Sequence, residues 1–421
     1  MLIRFDGRLS ALRHPQYLRY WLGSFASVGA TQLQVMGQGW LLYELTGSAL
    51  MLGYLGAAAS VPAIVMTLFG GVLADRLDKK RVLMTTSLVV AVLLALLAGL
   101  DFTEAVSPWH VIAIAGVISF VSGFDWPTRQ ALFPYLIERD DMMSAVALNS
   151  IIWQSCRMVM PALGGLVIAF ADTWVVFALC AAGFFTMFIV IGTLSVSLPA
   201  IKSALSTVGQ IAEGLGFILG NRLFLVLISL SYAGMFFGTA HMQLMPAFSK
   251  LLGAGETGYG YLISATGVGS VIGTIVVGAF QDSRRLGHII LGAAALSGAS
   301  VYCFCAASSL LNHLDAGYYV ALATVFMASM FSSIFMICSM TVLQLKVPDG
   351  LRGRVMGFHG ITYSLMPLGG LLAGTIAALT STPTAIAISI SFYLLIIAGV
   401  TVTQRDIRRI DGGNIEPAAA G

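Results

Sequence analysis

Residues 71–81, Gly-Val-Leu-Ala-Asp-Arg-Leu-Asp-Lys-Lys-Arg, form a short charged stretch between two long apolar runs. Their first five residues recur as Gly278-Ala-Phe-Gln-Asp282, an offset of 207 positions. Pro161 with Gly164-Gly165 returns at nearly the same interval as Pro367 with Gly369-Gly370. In the first apolar run, Ser24, Ser27, Thr31, Gln34 and Gln38 are spaced 3, 4, 3 and 4 apart, which keeps them on one helical face. Adding 205 to each gives Ser229, Tyr232, Phe236, Thr239 and Gln243, polar at four of the five places. A duplication of half the chain accounts for all three coincidences.

The 421 residues are 58% hydrophobic and only 10% charged. Soluble domains carry about 25% charge, so this chain cannot cover a water-facing surface. Apolar runs of about 20 residues suit helices crossing a bilayer core about 30 Å thick. Twelve such spans are read: 17–44, 48–75, 82–101, 109–129, 144–170 and 173–196, then 222–247, 257–280, 287–310, 317–343, 353–378 and 383–403. The expected fold is therefore an all-α polytopic membrane protein, twelve transmembrane helices in two pseudo-symmetric six-helix bundles. Residues 1–196 form the first bundle, 197–221 a cytoplasmic linker, 222–403 the second bundle and 404–421 a cytoplasmic tail. In the linker, Val208, Ile211 and Leu215 repeat at helical spacing, which predicts an amphipathic helix on the membrane surface.

Lys and Arg test this count, because cytoplasmic loops attract them. Of the 22, the N-terminal arm holds Arg4, Arg8, Arg13 and Arg19, and the loop after span 2 holds Arg76, Lys79, Lys80 and Arg81. Every second loop thereafter is basic as well, ending with Arg405, Arg408 and Arg409. The opposite side has only Lys250, and Arg157 lies inside a span. Both termini are thus expected in the cytoplasm of a bacterial inner membrane. A net charge of +3 spread by membrane side argues against a nucleic-acid-binding face. The five cysteines sit inside apolar runs, which implies neither a disulfide framework nor a zinc site. No metal, cofactor or enzymatic motif is read in any span; the chain is expected to act as a monomer on a small molecule.

The stretch from Gly71 to Arg81 resembles the signature loop between helices 2 and 3 of the major facilitator superfamily, with Asp78 in place of a family glycine. Further matches run in order along nearly the whole chain. They are Leu45-Thr-Gly-Ser-Ala49, Pro127-Thr-Arg-Gln-Ala131, Glu213-Gly214 with Asn221, Leu244-Met-Pro246, Gly258-Tyr-Gly260 and Arg352-Gly-Arg-Val355. Together they are similar to the bacterial drug:proton antiporter branch that includes the enterobactin exporter and macrolide-efflux proteins. The resemblance implies export of a small molecule by alternating access, with proton coupling. It also implies a latch in which Asp75, after Gly71, caps the helix starting near Gly353, and Asp125 pairs with Arg76 or Lys79; Asp282 is the repeat of Asp75. Two departures bear on coupling: Ala30 stands where many relatives have Asp, and Met160 where the antiporter motif has Gly before Pro161.

Arg157 stands out because a cation at mid-membrane costs at least about 2.5 kcal/mol and must face a cavity or a partner. It shares a helical face with Asn149 and Trp153. One reading makes these three residues a binding surface for an anionic substrate; the other has Arg157 bond helix carbonyls and hold span 5 in place. Gln34, Gln38 and Thr31 of the first stripe and Tyr232, Thr239 and Gln243 of the second are expected to line the same cavity. Asp125 likewise has two readings, as a latch acid and as a proton carrier. Two alternatives to drug or siderophore export are a lipid or lysolipid flippase on the same fold and a membrane receptor that transports nothing.

Overall fold

The computed structural model describes residues 7–76, 78–195, 207–280, 283–311 and 313–412. Every regular element among them is helical. In chain order the first helices are α1 (Pro15–Thr46), α2 (Ala49–Arg76), α3 (Lys79–Phe102), α4 (Pro108–Ser122), α5 (Asp125–Leu132), α6 (Met142–Ala171) and α7 (Thr173–Thr193). The linker contributes α8 (Thr207–Gly220). Then follow α9 (Arg222–Ala233), α10 (Met245–Leu251), α11 (Gly255–Val277), α12 (Leu286–Leu310) and α13 (Asp315–Lys346). The last are α14 (Arg352–Gly360), α15 (Thr362–Leu379), α16 (Thr382–Thr403) and the short α17 (Arg405–Arg408).

Local sequence explains many of the starts. Asp78, at the position of the family glycine, is the N-cap of α3: its carboxylate accepts from the backbone N–H of Lys80 (2.9 Å) and Arg81 (3.2 Å). Ser107 and His110 form a capping box at α4, with Pro108 at the first helical position. Asn221 caps α9 by accepting from Leu223. Between α1 and α2 the chain turns through Gly47 at φ +60°, a left-handed conformation that favours glycine.

Ten helical stretches among the described residues are long and apolar enough to cross a membrane, rather than the twelve expected. The expected span 17–44 is present as α1, a 32-residue helix, but its Ser, Thr and Gln stripe makes it too polar to count. The expected span 109–129 is interrupted. Its apolar part, α4, has 15 residues, about 22 Å of helix, and the chain starts again as the polar α5. The expected span 222–247 is also uneven: a π-helical turn at Gly234–Gly238 and a 3-10 turn at Ala240–Met242 separate α9 from α10. Such wide turns inside a helix shift its side-chain register and accompany functional sites.

The chain divides into two compact units, Met1–Leu45 with Val61–Ala204, and Thr46–Ser60 with Leu205–Gly421. In the first, α3 packs along α7, and a buried cluster of Tyr17, Tyr20, Leu83, Leu132, Leu148 and Met187 ties α1, α3, α5, α6 and α7 together. In the second, α13 packs along both α11 and α12, and α12 along α16. Helix α2 belongs to both, changing unit between Ser60 and Val61, next to its internal Pro62.

Within the second unit, the start of α2 lies tightly against α15. A Cβ on Gly56 would fall 2.6 Å from the Pro367 carbonyl oxygen, and one on Gly374 2.5 Å from that of Ala49. Only hydrogen fits at either place. Gln243 donates from Nε2 to the Leu52 carbonyl at 2.9 Å, adding a polar tie to the same contact. Gly269 and Gly273, like Gly370 and Gly374, make such close approaches, whereas among the described residues nothing lies within 4 Å of a Cβ at Gly353 or Gly357.

Candidate functional site

The first unit contains a small pocket built from three segments. Tyr20, Ser24 and Val28 come from one face of α1, where spacing of four residues stacks them. Arg129 and Gln130 come from α5, with Phe133 just beyond it, and Asn149 and Trp153 from α6. Its enclosed part has room for about one water-sized group, about 10 Å³.

Four hydrogen bonds fix α1 and the turn before it against the start of α6. Ala11 N–H donates to Ser144 Oγ (3.2 Å), Tyr17 OH to the Ala145 carbonyl (3.0 Å) and Trp21 Nε1 to that of Leu148 (3.3 Å). His14 Nε2 meets Asp141 Oδ2 at 2.7 Å. Hydrogen bonds from Ser10 and His14 hold the Asp141 carboxyl below the usual carboxylate range.

The charge in the pocket comes from α5. Asp125 and Arg129, four residues apart, form an ion pair through Arg129 Nε, and the Thr86 hydroxyl lies 3.5 Å from the other Asp125 oxygen. The Arg129 side chain is only 9% exposed, with Tyr20 against its guanidinium. Among the described residues its Nη1 has no hydrogen-bond partner. In the sequence Arg129 belongs to the Pro127-Thr-Arg-Gln-Ala131 match and to the cytoplasmic basic residues, and neither marks it as a site residue. The signal that could have found it is the i, i+4 spacing from Asp125, which matches an ion pair on one helix.

Of the expected binding residues, Asn149 and Trp153 line this pocket; Arg157, one turn further along α6, is exposed and is not part of the lining. Gln34 and Gln38 are buried and bonded to each other, Nε2 of the first to Oε1 of the second at 3.3 Å. Among the described residues the Gln38 Nε2 has no partner of its own. Thr31 donates to the Ser27 carbonyl. In the second unit, Tyr232 OH donates to the Phe358 carbonyl (2.7 Å), Thr239 to that of Met235 (2.8 Å) and Gln243 to Leu52. Among the expected latch residues, Gly71, Asp75 and Arg76 are helical in backbone, their side chains lying outside the described residues, as does Asp282 entirely. The described ion partner of Asp125 is Arg129.

Two motifs read separately in the sequence meet in the second unit. Glu213 of α8 and Arg354 of α14 form an ion pair at 2.5 Å, and Gly214 lies against Arg354, its Cβ position 3.0 Å from that of the arginine. The amphipathic linker helix is thereby fastened to the start of the eleventh expected span.

Relatives show what this architecture is used for. The chain is 24% identical over 408 residues to the enterobactin exporter EntS of Shigella boydii, covering 92% of each. It is 25% identical over 410 residues to the multidrug efflux pump Tap of Mycolicibacterium fortuitum, covering 88% of this chain and 91% of the pump. It is 23% identical over 343 residues to the staphyloferrin A transporter of Staphylococcus aureus, covering 80% and 83%. Among solved structures, the nucleoside transporter NupG superposes with a TM-score of 0.73 at 14% identity, over 93% of this chain and 99% of that one. A bacterial homologue of the iron transporter ferroportin does so with a TM-score of 0.72 at 16% identity, over 91% and 98%. The fold is that of the major facilitator superfamily, and the chain is a transporter rather than an enzyme, a multi-pass protein of the inner membrane. The model for transmembrane secretion effectors matches residues 6–420, and the chain belongs to that family of efflux transporters.

Proposed function

We propose that the chain exports a small organic anion of siderophore, macrolide or drug-like size by alternating access, driven by the proton-motive force. The observation that carries this reading is the polar content of two helices that a bilayer would otherwise make apolar. Ser24, Gln34 and Gln38 are buried on α1 instead of facing outward, while Arg157 is exposed on α6 beyond Asn149 and Trp153. An arginine at that depth is tolerated only next to water, protein polar groups or an anion. In this reading Thr31, Tyr232, Thr239 and Gln243 border the same aqueous path, within bundles spanning 1–196 and 222–403. Gly71, Asp75, Arg76, Asp125 and Asp282 form the cytoplasmic latch. The names of an enterobactin exporter and a multidrug efflux pump support the direction of transport, and these with a staphyloferrin A transporter support the size of the cargo.

Export of an anion from a cell negative inside gains about 2.3 kcal/mol per charge per 100 mV. The test is efflux from cells loaded with fluorescent anionic or cationic compounds, with Arg157→Ala as the variant. Selective loss of anion efflux is expected, and equal loss for both charges would refute the selector role. Collapsing the pH gradient and the membrane potential separately identifies the driving component; insensitivity to the pH gradient would remove the proton.

A further inference from the structure

We infer that Arg129 is the anchor for a carboxylate group of the transported molecule, held in the pocket between α1, α5 and α6. This rests on the export reading above and adds a contact residue to it. The argument begins with an imbalance. A guanidinium offers five N–H donors and keeps its charge at any physiological pH. Asp125 takes up the Nε edge, and Tyr20 hydrogen-bonds to the group, yet among the described residues Nη1 has no partner although the side chain is more than nine-tenths buried. A buried donor of this kind costs about 1–3 kcal/mol when left unsatisfied, more when charged, so native structures keep one for a reason.

The pocket is built to receive what that donor lacks. Its enclosed part has room for about one water-sized group (about 10 Å³), so a single carboxylate oxygen enters to meet Nη1 and the rest of the molecule lies at the pocket's mouth. An ionised oxygen is the strongest acceptor for such a donor. Ser24, Gln130 and Asn149 offer further donors around the rim, and Trp153 offers an aromatic face for the rest of the molecule. Asp125 sets the affinity: its negative charge sits on the same guanidinium and competes with an incoming anion. Removing that charge therefore strengthens binding, whereas removing the arginine abolishes it. A purely structural ion pair would not give opposite responses of this kind.

The probes are benzoate and its neutral amide, benzamide, titrated against the purified full-length protein while tryptophan fluorescence is followed. Trp153→Phe assigns the signal to the pocket. Benzoate is expected to bind about tenfold or more tighter than benzamide, the ratio corresponding to one charged hydrogen bond of about 1.5–3 kcal/mol. Arg129→Gln should remove that preference, and Asp125→Asn should tighten benzoate several-fold with benzamide unchanged. Arg129→Lys, which keeps the charge and loses the planar edge, serves if Arg129→Gln does not fold, and should weaken benzoate selectively. Equal binding of the two probes, a preference that survives Arg129→Gln, or weaker benzoate binding in Asp125→Asn would each overturn the assignment. Those results would leave the Arg157-dependent efflux assay standing, so the two readings fail separately.

Discussion

Replacing Gly56 by alanine tests the contact between the start of α2 and α15. The new methyl group would sit 2.6 Å from the Pro367 carbonyl oxygen and 3.1 Å from Gln243 Cδ. To reach an ordinary contact of 3.4 Å with the Pro367 carbonyl the helices must separate by about 0.8 Å, and Gln243, crowded by the same methyl group, must give up its bond to Leu52. Overpacking of this kind costs about 1–3 kcal/mol, and losing the hydrogen bond about 1 kcal/mol. Alanine also favours a helix over glycine by about 1 kcal/mol, which offsets the lost hydrogen bond and leaves a net loss of about 1–3 kcal/mol. Gly292→Ala in α12 is the matched control. Nothing lies within 4 Å of its Cβ position, so only the helix-propensity gain of about 1 kcal/mol applies and the sign reverses. Cys156, Cys180, Cys305 and Cys338 are buried and Cys303 is exposed. In a Cys303→Ser background, a thiol-reactive dye therefore reports unfolding directly. At one fixed heating rate, Gly56→Ala should melt about 1–4 °C below the parent, and Gly292→Ala at or above it. A Gly56→Ala protein as stable as Gly292→Ala would show that α2 and α15 are not in contact, and would refute the packing argument.

Other outcomes follow from single residues. Asp78→Ala removes the N-cap of α3 and should lower stability by about 1 kcal/mol, read in the same dye assay; Asp78→Asn should retain most of it, because an amide oxygen also caps. The Glu213–Arg354 pair is partly exposed, so a double-mutant cycle at these two positions should give a coupling of about 0.2–1 kcal/mol that shrinks as salt rises. Asp141 has a depressed pKa in the folded chain. It therefore contributes stability above the ordinary carboxylate range, near pH 4, and loses it as the pH falls through the depressed value. Melting curves between pH 7 and pH 3 should show a decline that Asp141→Asn makes shallower; identical slopes would contradict the assignment.

The features legible in the sequence were those set by periodicity. The spacing of Ser24, Gln34 and Gln38 put them on one face, and the structure buries that face. The charge pattern and the repeated motifs pointed to the fold that the superpositions show. Continuity of the spans was less legible. Composition over a 20-residue window cannot show that α4 stops at Ser122, nor that a π-helical turn interrupts the run from Arg222. The polar stripe that marked α1 also made it fail as an apolar span, so one signal served two opposed inferences. The pocket was half visible. Asn149 and Trp153 share a helical face with Arg157 in the sequence, but Arg129 stood there only as a motif residue and one of the cytoplasmic basic residues. Its burial depends on α1, α5 and α6 meeting, which no local pattern encodes.

Helix α2 carries one further consequence. It is a single rod clamped at one end by the glycine contacts on α15, the last of them at Gly56, and counted from Val61 onward with the first unit, next to Pro62. Proline has no N–H to offer the carbonyl four residues earlier, that of Ala58, so this is the softest joint along the rod. Strain applied at either end would collect there as bending instead of passing straight through. Pro62 thus leaves α2 one ladder hydrogen bond short at this point, and an alanine in its place would restore it.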